Sequence, residues 1–127
     1  MKSPVSVIIP AYNVSNSICR CLDSVFNQTK PPKEVIVIND GSTDDTEDII
    51  KCFYPNIRYA KQKNRGQAAA RNIGLYIACE KFVSFLDADD YWEPTFIEET
   101  IDFLNSFDNI IAVNVAQKII TWGHPMV

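Results

Sequence analysis

The chain has 127 residues, of which 46% are hydrophobic and 22% are charged, and its formal net charge is −4. This size and composition fit one globular domain with a sizeable core. The net negative charge argues against general binding to nucleic acid or to an anionic membrane surface, and no apolar run approaches the roughly 20 residues of a membrane-spanning helix.

Short apolar runs alternate with amphipathic stretches along the sequence. Continuous β-branched runs such as VSVIIP predict strands that are buried on both faces, and apolar residues at i, i+4 and i+7 predict helices. Strands are predicted at 5–10, 34–40, 57–60, 81–87 and 109–122. Helices are predicted at about 15–28, after Gly41 with Ser42 or Thr43 as N-cap, at 66–79, and from Pro94, which suits the first turn of a helix.

The predicted order βαβαβαβαβ indicates an α/β fold, a mostly parallel, Rossmann-like sheet with helices on both faces. We treat residues 1–127 as one domain. Ligands of such sheets bind beyond the carboxyl ends of the strands, near the point where the strand order reverses. The segments of interest are therefore those that follow the first, second and fourth strands, namely 10–13, 39–42 and 87–90.

Two common nucleotide-binding motifs are absent from the sequence. The first strand is followed by PAYN rather than by G-x-G-x-x-G, and no G-x-x-x-x-G-K-[ST] occurs. The helix after the second strand could bind phosphate at its N-terminus, but its start is acidic. We interpret these acidic residues as structural caps that stabilise the helix dipole, namely Asp44, Asp45, Glu47 and Asp48.

Three carboxylates, those of Asp87, Asp89 and Asp90, follow the fourth predicted strand. In extended chain Asp87 and Asp89 point the same way, and carboxylates held close together repel unless a cation or a proton intervenes. Mg²⁺ and Mn²⁺ take oxygen ligands, often one or two carboxylates together with phosphate oxygens and water. The spacing fits either such a metal–diphosphate site or a solvated turn that caps the next helix, and we expect Asp90 to have the local role.

Single residues near the other strand ends also have two interpretations. Asp40 could accept a hydrogen bond from a ring N–H such as that of uracil, or could form an Asx turn. Tyr12 could lie against the same ring or pack at the sheet edge. Arg71 lies in a helix of small residues and could pair with a diphosphate, with Asp40 or with Asp89. Further basic residues lie in the preceding loop, namely Lys61, Lys63 and Arg65, and we interpret the two lysines as solvated surface charge.

Four segments, SVIIPAYN, VIVINDGSTDDT, NRGQAAARNIGL and FVSFLDADD, resemble in their order and spacing the family 2 glycosyltransferases with the GT-A fold. The resemblance covers about residues 5–94. It implies an enzyme of the polysaccharide-biosynthesis type that moves a sugar, with inversion, from a nucleotide-sugar donor, expected to be a UDP-sugar. The implied acceptor is a hydroxyl of a saccharide, a lipid-linked molecule or another compound, and the implied cofactor is Mn²⁺ or Mg²⁺.

The resemblance also assigns roles to individual residues. Asp89 of the D-x-D motif is implied to ligate the metal, Asp87 to face the ribose or donor sugar, and Asp40 to read the base. The remaining residues implied in nucleotide-sugar binding are Pro10, Ala11, Tyr12, Arg71 and Ala88.

The general base of the reaction is not identified within the chain. Members of the family usually continue into an acceptor-binding part that carries a carboxylate general base. None of the acidic residues after the D-x-D motif matches that base, namely Glu93, Glu98, Glu99, Asp102 and Asp108. We therefore expect the general base to lie beyond Val127, the last residue of the sequence.

We accordingly expect a shortened chain that is mainly the donor-binding half of a transferase, with the apolar segment 109–122 as a homodimer contact. The alternative is a non-catalytic nucleotide-sugar-binding module. A nucleotidyltransferase would place a glycine-rich basic loop after the first strand, and a phospho-acceptor regulator would place its acids after the first and third strands; the sequence fits neither class.

The four cysteines lack the spacing of a zinc site. We interpret them as thiols of a cytoplasmic protein, with the inner face of a membrane as an alternative location.

Overall fold

The computed structural model describes residues 1–107, so the predicted fifth strand and dimer segment at 109–122 lie outside the described residues, as does Val127. Strands and helices alternate in the described part, which confirms the predicted order through the last helix. The elements are β1 (Ser3–Ala11), α1 (Ile18–Phe26), β2 (Pro32–Asn39), α2 (Thr46–Phe53), β3 (Arg58–Lys61), α3 (Gln67–Ile77), β4 (Phe82–Phe85) and α4 (Phe96–Asn105). None of these helices combines the length and the hydropathy needed to cross a bilayer.

The four strands form one parallel sheet in the order β3-β2-β1-β4. Central β1 pairs on one side with β2, where Ile8 lies opposite Ile36, and on the other with β4, where Ile8 lies opposite Phe85. Every residue of β1 except Pro4 is buried, as its continuous β-branched sequence predicts. The chain runs outward from β1 to β3 and then returns to the far side of β1, so the strand order reverses between β1 and β4.

Helices cover both faces of the sheet, which confirms the predicted layers. On one face Val7 and Ile9 of β1 belong to the larger core cluster, with buried residues of α1, α2 and α4. On the other face Ile8, Ile36 and Ile38 pack with Ala70 of α3. Because alternate residues of a strand point to opposite faces, β1 contributes apolar side chains to both cores.

Gly74 lets α3 lie close to the sheet, because a Cβ at this position would clash with the Ile8 side chain. We expect Gly74→Ala to lower the free energy of unfolding by about 1–3 kcal/mol, the usual cost of overpacking. Alanine gains roughly 1 kcal/mol in helix propensity, so a net loss would show that the contact dominates. Denaturant unfolding measures the change. The same substitution should cost less in an Ile8→Ala background, and equal or greater stability of Gly74→Ala alone would contradict the close approach.

Two helix starts differ from the predicted ones. Helix α2 begins at Thr46 with Asp45 as N-cap, so the predicted N-cap at Ser42 or Thr43 was wrong. These two residues instead bond Asn13: the Asn13 N–H donates to Ser42 Oγ (2.9 Å), and Asn13 Oδ1 accepts from the Thr43 N–H (2.7 Å). Tertiary hydrogen bonds between the loops after β1 and β2 thus shift the start of the helix to a later residue, Thr46.

The start of α4 is also later than predicted. The N-cap of α4 is Thr95, so Pro94 precedes the helix rather than lying in its first turn. The Pro94 carbonyl accepts a hydrogen bond from the Thr29 N–H at 2.8 Å. This bond ties the segment before α4 to the end of α1.

The acidic start of α2 has a structural role, as predicted, although the side chain of the N-cap Asp45 makes no capping hydrogen bond. Glu47 and Asp48 lie in the first turn, where carboxylates stabilise the positive end of the helix. Asp44 precedes the helix, and its Oδ1 accepts from the Thr46 N–H at 3.0 Å. Burial raises the pKa of Asp44, but hydrogen bonds from Thr46 and Ser15 outweigh it and lower the pKa to about 2. Asp44 is therefore ionised and engaged within the protein at neutral pH.

Candidate functional site

A cleft of about 460 Å³ opens at the carboxyl ends of the strands. It lies beside the reversal of strand order between β1 and β4, where α/β sheets place their ligands. All of the residues predicted for nucleotide-sugar and metal binding line it except Arg71, namely Pro10, Ala11, Tyr12, Asp40, Asp87, Ala88 and Asp89. Residues that follow three separate strands therefore meet at one cavity, as the sequence predicts.

Asp40 lines one side of the cleft and is only 5% exposed. Its Oδ1 accepts hydrogen bonds from Gln62 Nε2 (2.7 Å) and the Arg65 N–H (2.8 Å), and its Oδ2 accepts one from the Gly66 N–H (3.0 Å). Burial raises the pKa of Asp40, but these three hydrogen bonds outweigh it, so the pKa lies below its ordinary value. A carboxylate offers about four acceptor positions, so Oδ2 keeps one for the N–H of a ligand.

The sequence singled out the basic residues of the loop that carries these donors, but not its hydrogen bonds to Asp40. Gly66 has a φ of +96°, a conformation that glycine adopts readily, and its N–H faces Asp40 there. Asn64 and Gly66 both line the cleft. Asp40 forms no Asx turn in the described structure, because its carboxylate bonds the loop 62–66, and the Ser42 N–H donates to Asn39 Oδ1 at 3.0 Å.

Three carboxylates gather in the turn after β4, and two of them, those of Asp87 and Asp89, line the other side of the cleft. One carboxylate oxygen from each of Asp87, Asp89 and Asp90 lies within 4.8 Å of the others. Burial, followed by the charges of Asp89 and Asp87, raises the pKa of Asp90. Within residues 1–107 no hydrogen-bond donor contacts the carboxylate of Asp89. Carboxylate oxygens are hard ligands, and neighbouring residues balance the negative charge of this set only in part. The set therefore fits a cation such as Mg²⁺ or Mn²⁺.

Asp87 is oriented by two side chains of α3. Gln67 Nε2 donates to Asp87 Oδ1 at 2.7 Å, and Arg71 Nη2 donates to the same oxygen at 3.0 Å. The two donors lie one helical turn apart, at i and i+4. Asp87 Oδ2 receives no hydrogen bond from residues 1–107 and stays free for a ligand. Gln67 lines the cleft and was missed by sequence reasoning, although the helical period places it on the face of Arg71.

Arg71 lies behind the cleft rather than in its wall. It pairs with Asp87, not with Asp40 or Asp89 as the sequence suggested, because α3 brings it directly against the turn after β4. Its guanidinium also lies over the Phe85 ring, 5.9 Å from the ring centre. Its Nε is buried and has no acceptor among residues 1–107. Arg71 thus acts on the site by balancing the charge of Asp87.

Two further residues complete the surroundings of the cleft. Tyr12 is 45% exposed and lines the cleft, where a planar ligand could stack on its ring. Cys21 of α1 lies behind the acidic turn and is fully buried. Burial, followed by the carboxylates of the turn, raises the pKa of Cys21 to about 12. It is therefore a neutral thiol, and none of the four cysteines forms a disulfide.

The sequence matches the model of the family described as Glycosyl transferase family 2 over residues 6–125. It is 44% identical over 97 residues to the uncharacterized glycosyltransferase YibD of Escherichia coli K12, covering 74% of this chain and 28% of that protein. It is also 44% identical over 97 residues to the chondroitin synthase of Pasteurella multocida, covering 74% of this chain and 10% of that protein. The chain thus spans less than a third of either relative.

Solved structures show the same fold. TarS 1–349 of S. aureus superposes with a TM-score of 0.75 at 29% sequence identity, covering 92% of this chain and 39% of that one. The complex of TarS 1–349 with UDP-GlcNAc superposes with a TM-score of 0.71 at 28% identity, covering 92% of this chain and 37% of that one. The mannosyltransferase PcManGT from Pyrobaculum calidifontis, in complex with GDP-Man and Mn²⁺, superposes with a TM-score of 0.71 at 28% identity, covering 82% of this chain and 33% of that one. The predicted GT-A, Rossmann-like architecture is confirmed.

Proposed function

Because the chain belongs to glycosyl transferase family 2, we propose that it is the donor-binding part of a metal-dependent, inverting glycosyltransferase. The observation that carries this proposal is the meeting of Asp40 with Asp87 and Asp89 across one cleft. One wall offers an acceptor for a ring N–H, and the other offers hard oxygen ligands. A nucleoside diphosphate sugar has the matching order of groups, a base at one end and a diphosphate at the other.

The base-binding end is proposed at Asp40. Its remaining Oδ2 acceptor suits the N3–H of uracil, and the half-exposed Tyr12 offers a ring on which the base can stack. Pro10 and Ala11 would form the rest of this pocket. An acceptor at this place fits the N3–H of uracil or the N1–H of guanine, whereas the adenine and cytosine of nucleotides have no ring N–H, and of the two we propose UDP. The UDP-GlcNAc complex of the structurally similar TarS supports this choice.

The diphosphate end is proposed at the acidic turn. A diphosphate would be repelled by Asp87, Asp89 and Asp90 unless a divalent cation lay between them. Asp89 would be the ligand, because it lines the cleft, unlike Asp90, and its carboxylate receives no donor from residues 1–107. Asp87, held at Oδ1 by α3, would direct Oδ2 toward the ribose or the sugar, beside Ala88. The Mn²⁺ bound by PcManGT supports a site of this kind, and when bound such an ion stabilises the charge of the departing nucleotide.

Transfer also needs an acceptor hydroxyl and a base to deprotonate it. Among residues 1–107 the carboxylates that line the cleft are those of Asp40, Asp87 and Asp89, all assigned to the donor. The other acids considered in the described part do not line it, namely Glu93, Glu98, Glu99 and Asp102. We therefore place the base and the acceptor site outside the described residues. The acceptor is proposed to be a hydroxyl of a saccharide or a lipid-linked molecule, in polysaccharide biosynthesis.

The position of the general base beyond Val127 stays a prediction. Asp108 and the residues from there to Val127 lie outside the part of the chain that the structure describes, so a carboxylate in this segment is not tested as the base. The chain also spans only 28% of the length of YibD and 10% of that of the chondroitin synthase. We therefore assign the donor site to the described residues and the base to residues outside them.

The same lack of a further cleft carboxylate in the described part favours one alternative, a nucleotide-sugar-binding module without catalysis. Transfer of a sugar from a UDP-sugar to a saccharide acceptor by this chain would exclude the alternative, because such transfer needs a positioned base, which contributes typically 10²–10⁴ in rate. The homodimer through 109–122 and the cytoplasmic location stay predictions. Light scattering would test the first.

Removal of divalent cations tests the proposed donor site directly. We expect UDP to bind in the presence of Mn²⁺ and to bind much more weakly when EDTA replaces it, because the acidic turn then repels the diphosphate. Isothermal titration calorimetry with UDP in the two buffers measures the difference, and uridine serves as the control, since it lacks phosphates and should be insensitive to the metal. Equal affinity for UDP in both buffers would contradict the proposed metal site.

A further inference from the structure

The hydroxyl of Ser17 makes a contact that its position in the helix does not predict. Ser17 is the N-cap residue of α1 but makes no capping hydrogen bond with its side chain, although serine is favoured at this position for that bond. Its Oγ donates instead to the carbonyl oxygen of Ala88, 3.0 Å away and 71 residues later in the chain. The hydroxyl is therefore used to hold the acidic turn after β4 rather than the start of its own helix.

Two other residues of α1 bond the same turn. Cys21 Sγ donates to the carbonyl oxygen of Asp87 at 3.7 Å, and Arg20 Nη2 donates to that of Asp89 at 3.5 Å. Positions 17, 20 and 21 lie on one face of a helix, so a single face of α1 bonds three consecutive carbonyl groups. The bonds from the thiol and from the guanidinium are long, and the Ser17 bond is the shortest of the three.

These bonds fix the direction of the side chains of the turn. With the carbonyl groups held toward α1, the carboxylates of Asp87 and Asp89 line the cleft. Asp87 has additional support from α3, whereas no donor among residues 1–107 contacts the Asp89 carboxylate. The place of Asp89 therefore depends on the backbone of the turn, which Ser17 anchors through Ala88.

We propose that Ser17 is a positioning residue for divalent-cation binding, which acts by holding the Ala88 carbonyl so that Asp87 and Asp89 stay close together. This inference rests on the proposed function. The two carboxylates repel one another, and a free turn would let them separate, so that a cation would have to reorder the turn on binding. Ser17 does not line the cleft in the described structure and acts through the backbone alone.

The test measures how much Mn²⁺ strengthens UDP binding, as the ratio of the dissociation constant in EDTA to that in Mn²⁺. Ser17→Ala should lower this ratio about tenfold, the lower end of the loss typical when partners behind metal ligands are removed. Ser17→Thr keeps a hydroxyl and should restore the ratio. Mn²⁺ binding without UDP, followed by the electron paramagnetic resonance signal of the free ion, should weaken in the same order.

Ser24→Ala is the matched control. Ser24 also lies on α1, and its Oγ accepts from the Trp92 N–H at 3.1 Å, just beyond the acidic turn. Its loss removes a comparable contact between α1 and the chain after β4, and it should lower the melting temperature without changing the ratio. A role of Ser17 in stability alone would make the two variants behave alike.

An unchanged ratio in Ser17→Ala would overturn the inference, as would an equal loss of UDP affinity in both buffers. If the unaltered protein shows no Mn²⁺ dependence, the proposed metal site is wrong and the inference fails with it. If Ser17→Ala does not fold, Ser17→Gly takes its place, since glycine at an N-cap costs only a few tenths of a kcal/mol. It removes the same hydroxyl, so its ratio should fall in the same way, and an unchanged ratio there would also overturn the inference.

Discussion

Asp89→Ala is expected to remove most of the metal-dependent affinity for UDP. Asp89 lines the cleft, and its carboxylate has no hydrogen-bond donor within residues 1–107, so in the proposed site it is the principal ligand of the cation. Loss of partners behind metal ligands typically costs 10–100-fold in metal affinity, and we expect the loss of the ligand itself to cost at least about 100-fold on that scale. Calorimetry with UDP and Mn²⁺ measures the change.

The matched control is Asp90→Ala, one position along the same turn. Asp90 belongs to the same cluster but does not line the cleft, and its N–H donates to the Asp87 carbonyl at 2.9 Å. Both variants lose one negative charge from the turn, so they change its overall repulsion of a diphosphate to a similar extent. A much larger loss of UDP affinity in Asp89→Ala than in Asp90→Ala would identify Asp89 as a metal ligand. Equal losses in the two variants would mean that Asp89 contributes only its negative charge.

Asp40→Ala is expected to weaken the binding of UDP by roughly 1.5–3 kcal/mol, the usual contribution of a hydrogen bond to a charged group. The binding of pyrophosphate in Mn²⁺ should stay nearly unchanged. The difference arises because only UDP has a ring N–H that can donate to Asp40 Oδ2. Parallel titrations with the two ligands measure it. A similar loss for both would mean that Asp40 shapes the cleft without contacting the base.

Asp40 also holds the loop 62–66, so the base contact has to be separated from loop stability. Gln62→Met serves as the control, since it removes the 2.7 Å hydrogen bond to Asp40 Oδ1 but leaves the carboxylate in the cleft. If the loop alone accounted for the effect, Gln62→Met would reduce the affinity for UDP relative to pyrophosphate in the same way. We expect it to alter stability more than this preference.

The fold was predictable from the sequence to the extent that it follows from local patterns. The β-branched run of β1 and the apolar period of α1 depend on burial of near neighbours and were placed within a few residues. The predicted start of α2 was wrong because Asn13, far away in sequence, forms hydrogen bonds with Ser42 and Thr43. Single-sequence patterns carry no information about such long-range bonds, so element boundaries that depend on them shift.

The same distinction applies to the site. Asp40, Asp87 and Asp89 were identified because residues at the carboxyl ends of parallel strands meet at one edge, a rule that needs only the element order. The contacts of Asp87 with Gln67 and Arg71, and those of Asp40 with the 62–66 loop, depend on how α3 packs against the sheet. That packing is tertiary, and for this reason the sequence placed Arg71 near the cleft but suggested the wrong carboxylate as its partner.

The central claim is that one cleft binds a base at Asp40 and a metal-bound diphosphate at Asp89. A crystal structure with UDP and Mn²⁺ tests it most directly, because the anomalous signal of manganese locates the ion independently of the nucleotide. We predict a manganese peak within bonding distance of Asp89 and the uracil N3–H directed at Asp40 Oδ2. A manganese ion away from the acidic turn, or UDP bound with its base at the turn and its phosphates at Asp40, would contradict the account.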